Sequence, residues 1–180
     1  KAGQFAIATN STLKESVNAL SSAINAYGLS ADDATRISDI FFRMIDLGRI
    51  TTKEFANDIG KILPAASQLG VSLEEVAAFL SVTTRAGVRN NSAMTFLYNI
   101  FNRLIKPTGE FKNLLREMGT PTAQLAIETN GLIGVFQKVA DFVECRPELV
   151  AELFPDIRAQ RGIFAALRGD LQDFTSDLEK

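Results

Sequence analysis

The chain has 180 residues, of which 46% are apolar and 22% charged, with a net charge of −2 and a pI near 5.3. That balance predicts a folded core and excludes both a disordered chain and a bulk electrostatic case for nucleic acid. A single cysteine, Cys145, excludes an intrachain disulfide, and the absence of histidine removes the commonest metal ligand and general base.

From Leu13 to Tyr27 the apolar positions are Leu13, Val17, Leu20, Ile24 and Tyr27, a heptad seam. Two heptads are too few for a coiled coil, so the spacing predicts one amphipathic helix lying on a core. The end of a longer helix cut at Lys1 is the alternative. After Gly28, Ser30 can cap a new helix with Asp32 and Asp33 in its first turn, where carboxylates suit the positive end. That helix buries Ile37, Ile40, Phe41, Met44 and Ile45 and stops at Gly48. Thr51 and Glu54 form a capping box, with Ile50 and Phe55 as its hydrophobic staple. Phe55, Ile59, Ile62 and Leu63 carry the stripe to Pro64, where a missing amide and a ring clash predict a kink or break. Ala65–Leu69 resumes the helix.

Gly70 ends it, because glycine takes the left-handed conformation without a Cβ clash. Ser72 and Glu75 then form a second box, stapled by Val71 and Val76. Ala86-Gly87-Val88 separates this helix from the next. The next carries Ala93, Phe96, Leu97, Ile100, Phe101 and Leu104 at helical spacing and stops at Pro107. Phe111, Leu114, Leu115 and Met118 mark a further helix ending at Gly119. Gln124–Glu128 has no clear period and reads as a short extended excursion, and Thr129-Asn130-Gly131 is a turn signal. A long helix follows with Leu132, Val135, Phe136, Val139, Phe142 and Val143 inward. Pro147 restarts the chain after Cys145, and Ile157, Phe164 and Leu167 mark a helix reaching Gly169. Asp170 caps a last one with Leu171, Phe174 and Leu178. The fold class is therefore all-α, a compact domain of about eight to ten amphipathic helices punctuated by Gly and Pro. The glycines read as ordinary helix punctuation rather than a solenoid repeat.

Catalysis is hard to assemble from these residues. The serines and threonines sit mostly at caps, and no histidine is present to activate one. Glu74/Glu75 and Asp32/Asp33 are adjacent, which on a helix points them about 100° apart, a poor arrangement for paired acid–base work. No P-loop, GxGxxG or CxxC pattern appears, so no cofactor or metal is expected. No apolar run approaches the roughly 18 residues that span a bilayer, and no signal peptide is visible. The surface that stands out is basic. Arg85 and Arg89 flank the Gly87 turn, with Arg103, Lys106, Lys112 and Arg116 near in sequence and Arg158, Arg161 and Arg168 further on. A solvated face paired with residues such as Glu110 and Glu117 is the ordinary explanation. Contact with an acidic partner surface or passing DNA is the functional one.

The ordered anchors LGVSLEE, AGV, the small residue Ala93 and LIKPTGEFKNLLREMG resemble the globular domain of phage tail tape measure proteins. The stretch from Ser30 to Ser72 is similar to the helix pair that precedes LGVS in that family. LFPDIRAQRGIFAALRG, Leu153 to Gly169, is similar to its closing helix. The resemblance spans Ala6 to Gly169 and is weakest over Pro121–Asn130. It implies an excised piece of a longer chain: residues 1–27 as the end of a longer helix or the first helix of the domain, 28–169 as the globular module, and 170–180 as the start of a helix leading onward. It further implies a non-enzymatic structural role in tail assembly and tail-length determination. The implied partners are the tail tube protein, tail assembly chaperones, tail-tip or baseplate proteins and other copies of the chain in a small homo-oligomer. Specific nucleic-acid binding and membrane contact are not implied. The implied location is the tail lumen of the virion, and the host bacterial cytoplasm during assembly. The family offers no catalytic residues to carry over, and Arg85 and Arg89 are the one candidate partner contact. A generic helical adaptor domain is the rival reading, and a membrane-active helical module fits less well because the phenylalanines lie on core stripes.

Overall fold

The structure, a computed structural model, describes residues 1–145 apart from Thr108 and Met118. The described part is all-α: α1 (Ala2–Ala8), α2 (Leu13–Tyr27), α3 (Ala34–Leu47), α4 (Thr52–Leu69), α5 (Leu73–Arg85), α6 (Asn90–Ile105), α7 (Gly109–Glu117) and α8 (Ala123–Cys145), with a single 3-10 turn, Ala31–Asp33, leading into α3. The expectations for Met118, for the side chains of Phe142 and Val143, and for everything from Arg146 onward, including Arg158, Arg161 and Arg168, lie outside the described residues.

The starts of these helices are set by local chemistry. Reciprocal capping boxes open α2 (Thr12 with Glu15), the turn before α3 (Ser30 with Asp33), α4 (Thr51 with Glu54) and α5 (Ser72 with Glu75). In each, a hydroxyl accepts from a backbone amide near the helix start that would otherwise have no partner, and the carboxylate accepts from the capping residue's own amide. The anticipated boxes at Thr51 and Ser72 form. The Thr12 box obeys the same T-x-x-E pattern, and it makes α2 start afresh rather than continue from Lys1. Residues 2–8 are a separate helix packed on α2 and α3.

Helix α4 lies at the centre, against α2 on one side and α6 on the other, and α5 packs between α3 and α6. Helix α5 is buried at Leu73 and at every position from Val76 to Thr84, as expected of a helix with neighbours on several sides. One continuous core holds two aromatic groups. Phe5, Phe41 and Phe55 form one, with Phe41 edge-on to Phe55 at 4.6 Å. Phe79, Phe96 and Phe136 form the other, with ring centroids 5.1–6.3 Å apart, joining α5, α6 and α8. The α6 stripe from Ala93 to Leu104 is buried throughout, as are Phe111, Leu114 and Leu115 of α7 and Leu132, Val135, Phe136 and Val139 of α8.

Three expectations need correction. Of the kink or break expected at Pro64, the break does not occur: α4 is one helix from Thr52 to Leu69. Pro64 and Gly60, whose carbonyl loses its partner, both lie on the exposed face, where water can take the carbonyl instead. Gln124–Glu128 is helical, not extended. The first half of α8 runs to Asn130, and the chain leaves helical geometry only at Gly131 (φ 66°, ψ 171°) before turning helical again. On α2 the core face is Ser16, Ala19, Leu20 and Ala23, rotated away from the predicted seam. Leu13 and Val17 are 59% and 45% exposed. Small residues let α2 approach α4 closely, so backbone proximity overrides side-chain size in choosing the buried face. Gly48 ends α3 as expected, and it does so in extended conformation (φ −92°, ψ 176°). A Cβ there would lie 2.7 Å from the Met44 carbonyl oxygen and 2.9 Å from Thr84 Oγ1. This glycine serves a close crossing with α5, not a left-handed turn.

Candidate partner-contact surface

Two places carry the polar structure of this fold, and both lie on α5. At its start, the segment Leu69–Val76 ties five helices together. Gly70 takes a left-handed conformation (φ 79°) that ends α4. The Tyr27 hydroxyl donates to the Val71 carbonyl at 2.9 Å. Arg36 of α3 pairs with Glu74. One oxygen of Glu75 accepts from the amide and hydroxyl of Ser72, and the other accepts from the Leu132 amide at 2.9 Å. One carboxylate thus caps α5 and also the second half of α8, beyond the Gly131 break. Burial, with the nearby Glu74 and Glu75 carboxylates, pushes the Tyr27 phenol well above its usual range. The capping pattern makes Glu75's first role legible in the sequence. Its second, 57 residues away, leaves only the Asn-Gly turn signal as a trace.

The end of α5 carries the candidate residues. Hydroxyls order this end. Ser81 donates to the Met44 carbonyl at 3.3 Å, and Thr84 Oγ1 accepts from the Arg49 amide at 3.2 Å while donating to Leu80. The turn closes by two bonds, Val88 amide to Thr83 carbonyl at 3.1 Å and Gly87 amide to Thr84 carbonyl at 3.0 Å. This is the Schellman arrangement, and it requires the left-handed Gly87 (φ 94°). Arg85, the last residue of α5, is half-buried, and Arg89 is exposed. Arg89 stands at the N-cap of α6, where its carbonyl accepts from Ser92 and Ala93. The structure therefore places both arginines on one rigid turn. Arg103 is half-buried further along α6, and Lys106, Lys112 and Arg116 are exposed.

Two concavities flank α3. One, of about 70 Å³, lies between α3 and α5 over Ile40, Met44, Ala77 and Ala78. The other, of about 350 Å³, is an open groove between α1 and α3 floored by Phe5 and Phe42. Among the described residues, no group of three or more His, Cys, Asp or Glu is placed to hold a metal ion, and no helix is long and apolar enough to cross a membrane.

An all-α module whose polar residues serve mainly as caps, crossings and turn closures is what the fold defines. The family described as phage-related minor tail protein matches residues 1–173, nearly the whole chain, and the chain belongs to that family. Over 104 residues, 58% of the chain, it is 32% identical to the tape measure protein of Pneumococcus phage Dp-1, of which it covers 9%. Over 135 residues, 75% of the chain, it is 25% identical to the probable tape measure protein of Escherichia phage P2, of which it covers 17%. The chain thus spans less than a fifth of either relative. No solved structure matches it. As a family member it is a phage tail protein, a component of the virion.

Proposed function

We propose that this chain is a globular, non-enzymatic module of a phage or prophage tape measure protein, serving tail assembly and tail-length determination. The observation that carries this reading is the family match over residues 1–173 together with two tape measure relatives many times longer than the aligned region. A helical ruler converts residue count to length at about 1.5 Å per residue, so 180 residues in one straight helix reach about 270 Å. The described residues instead pack as short helices around one core. Under this reading residues 28–169 are the compact module, 1–27 supply its first helices, packed into the same core, 170–180 start the helix leading onward, and the extended ruler is elsewhere in the parent chain.

The partners under this reading are the tail tube protein, the tail assembly chaperones, the tail-tip or baseplate proteins and other copies of the chain. Its place is the tail lumen, after assembly in the bacterial cytoplasm. The Gly87 turn, with Arg85 and Arg89, is the contact surface: it is rigid and carries two cations, one of them on an exposed side chain. The test is twofold. Deleting these 180 residues in frame from the parent gene abolishes or deforms tails in electron micrographs. Wild-type infectious tails from the deletion overturn the assembly role. In pull-downs with tail tube and tail-tip proteins, Arg85→Glu with Arg89→Glu reduces capture at least fivefold, and unchanged capture removes the turn from the contact surface while leaving the assembly role standing.

A further inference from the structure

Asn130 and Gly131 form the single Asn-Gly pair of the sequence. Asn130 is the last residue of the first half of α8, and Gly131 (φ 66°, ψ 171°) is where that helix breaks. An asparagine followed by glycine carries its own chemistry. The backbone nitrogen of the second residue can attack the side-chain carbonyl carbon of the first, and glycine has no side chain to hinder the approach. In this fold three contacts hold the pair in an unreactive arrangement. The Asn130 side-chain amide donates to the Ala126 carbonyl at 2.9 Å, which turns it back along its own helix. Gly134 lies against the same side chain, so close that a Cβ there would fall 2.8 Å from the Asn130 Cβ. Beyond the break, Glu75 accepts from the Leu132 amide at 2.9 Å, and Leu132, Val135, Phe136 and Val139 are buried. Attack also requires the Asn130 Cβ to eclipse the Gly131 nitrogen, because both belong to the five-membered ring that forms. The helical ψ of about −42° holds them well away from eclipsed.

We propose that Asn130–Gly131 is a latent self-modification site, closed while Glu75 holds Leu132 and reactive when the second half of α8 lets go. In the opened junction the Asn130 backbone is free to rotate. The Gly131 nitrogen bonds to Asn130 Cγ and gives up its proton, through solvent, to Nδ2. The Cγ–Nδ2 bond breaks and Nδ2 leaves as ammonia, so the product is a succinimide ring. Water then opens the ring, its hydroxyl going to one of the two ring carbonyl carbons and its proton to the ring nitrogen or, at the other carbonyl, to the released backbone carboxyl. Cleavage at Cγ gives an aspartyl link, and cleavage at the backbone carbonyl gives an isoaspartyl link. The net change is one water consumed and one ammonia released. Neither product restores the closed junction. The aspartyl carboxylate has no N–H for the Ala126 carbonyl and puts negative charge at the C-terminal end of a helical segment, where the dipole opposes it. The isoaspartyl link adds one carbon to the main chain ahead of Gly131 and so displaces Leu132 from Glu75. Opening is reversible and conversion is not, and the rate of conversion follows the population of the opened state. The junction thus records how often this end of the module has opened, whatever the module's role in the tail.

The test uses the full 180-residue chain, held in mildly alkaline buffer. Conversion at Asn130 is followed by peptide mapping with mass spectrometry, which separates aspartyl from isoaspartyl peptides. In urea, where the whole chain is open, Asn130 converts faster than any other asparagine. In the folded chain it converts slower by about tenfold or more. Glu75→Ala raises the folded-state rate by about tenfold or more, and Glu75→Gln, which keeps one acceptor, raises it by less. Gly48→Ala, a change of comparable global cost at the α3–α5 crossing, alters the rate less than about threefold. Asn130→Asp, which reproduces the aspartyl product, speeds amide hydrogen exchange over residues 132–139 by about tenfold or more. Equal rates in the folded chain and in urea overturn the proposal, as does a folded-state rate that Glu75→Ala leaves unchanged. Where the alanine variant does not fold, the glutamine variant decides by the same criterion. A rise with Gly48→Ala as large as with Glu75→Ala places control in global unfolding and overturns the Glu75 latch. Unchanged hydrogen exchange in Asn130→Asp overturns the one-way step.

Discussion

Glu75 illustrates how much one side chain can organise. Its two oxygens accept from Ser72 and Leu132, so it caps helices that are far apart in sequence. Removing it leaves amides at both helix starts without that acceptor. Glu75→Ala is expected to destabilise the fold by about 2–3 kcal/mol, the sum of a lost cap and a lost charge-assisted bond. Glu75→Gln keeps an amide oxygen for one of the two sites and is expected to lose roughly half as much. Urea denaturation of the three proteins measures this, and equal stability of the Ala and Gln variants contradicts the double-cap account. Gly48 and Gly70 make a second contrast. Alanine at Gly48 meets the Met44 carbonyl at 2.7 Å and the Ser81 Cα at 3.3 Å, both backbone atoms. Alanine at Gly70 meets open space but must adopt φ 79°. Overpacking against backbone costs about 2–3 kcal/mol, and a left-handed alanine about 1 kcal/mol. Gly48→Ala is therefore expected to be the more damaging, by the same denaturation measurement.

At the level of helices, face selection decides more than propensity. On α2 the bulky seam residues Leu13 and Val17 stay largely in solvent while Ala19 and Ala23 are fully buried. Changing Leu13 or Val17 to serine is thus expected to alter stability by no more than about 0.5 kcal/mol, whereas Ala23→Leu costs about 1–3 kcal/mol by forcing α2 away from α4. Thermal melts of the two sets separate a core made by the small residues from one made by the seam. Pro64 offers the opposite sign. It occupies an exposed position inside α4, so Pro64→Ala restores an amide to the Gly60 carbonyl without opening a cavity. It is expected to raise stability by about 1–2 kcal/mol, less than the full helix penalty because proline also restricts the unfolded chain.

These cases also mark what the sequence makes legible. Caps and stops are written locally: Thr51 with Glu54, Ser72 with Glu75, Gly70 and Gly87 each declare themselves within a few residues. So do the single-faced stripes of α6 and α7, where the large apolar residues are the buried ones. Packing between distant segments is not written locally. Nothing near Gly48 announces that Ser81 and Thr84 will cross it, and nothing near Glu75 announces Leu132. The helical first half of α8 has no clean period, yet Ala123, Ala126 and Ile127 are buried there, so tertiary contact supplies what local pattern lacks. Of the candidate surface, the arginines were legible as residues flanking a glycine. Their turn is closed by backbone bonds from the Gly87 and Val88 amides to the Thr84 and Thr83 carbonyls.

For the molecule as a whole, the same caps set how stability responds to pH. The backbone amide and hydroxyl of Thr12 donate to Glu15 and hold its carboxyl below the usual range, and those of Ser30 do the same for Asp33. As pH falls, the unfolded chain takes up protons at these sites before the folded one does, because its carboxylates titrate near pH 4. The stability they confer is therefore complete above that value and is lost as pH falls through the lower folded values. Both groups lie at the surface and are open to solvent on one side, so each effect is modest and weakens with salt. The Tyr27 phenol behaves in the opposite sense. Its folded value is raised, first by burial and then by Glu74 and Glu75. The stability from keeping it neutral is complete below its unfolded value near 10 and is lost as pH rises beyond it toward the folded value. The expected profile of melting temperature is a plateau between about pH 5 and 9 that falls on both sides. Thr12→Ala and Ser30→Ala should each make the acid limb shallower. Tyr27→Phe should lower the plateau by about 1 kcal/mol, since the bond to the Val71 carbonyl is lost, and should flatten the alkaline limb relative to wild type. Melts from pH 2 to 11 check all three. An alkaline limb equally steep in the phenylalanine variant would place the loss on other groups and detach Tyr27 from the α2–α5 junction as a source of pH response.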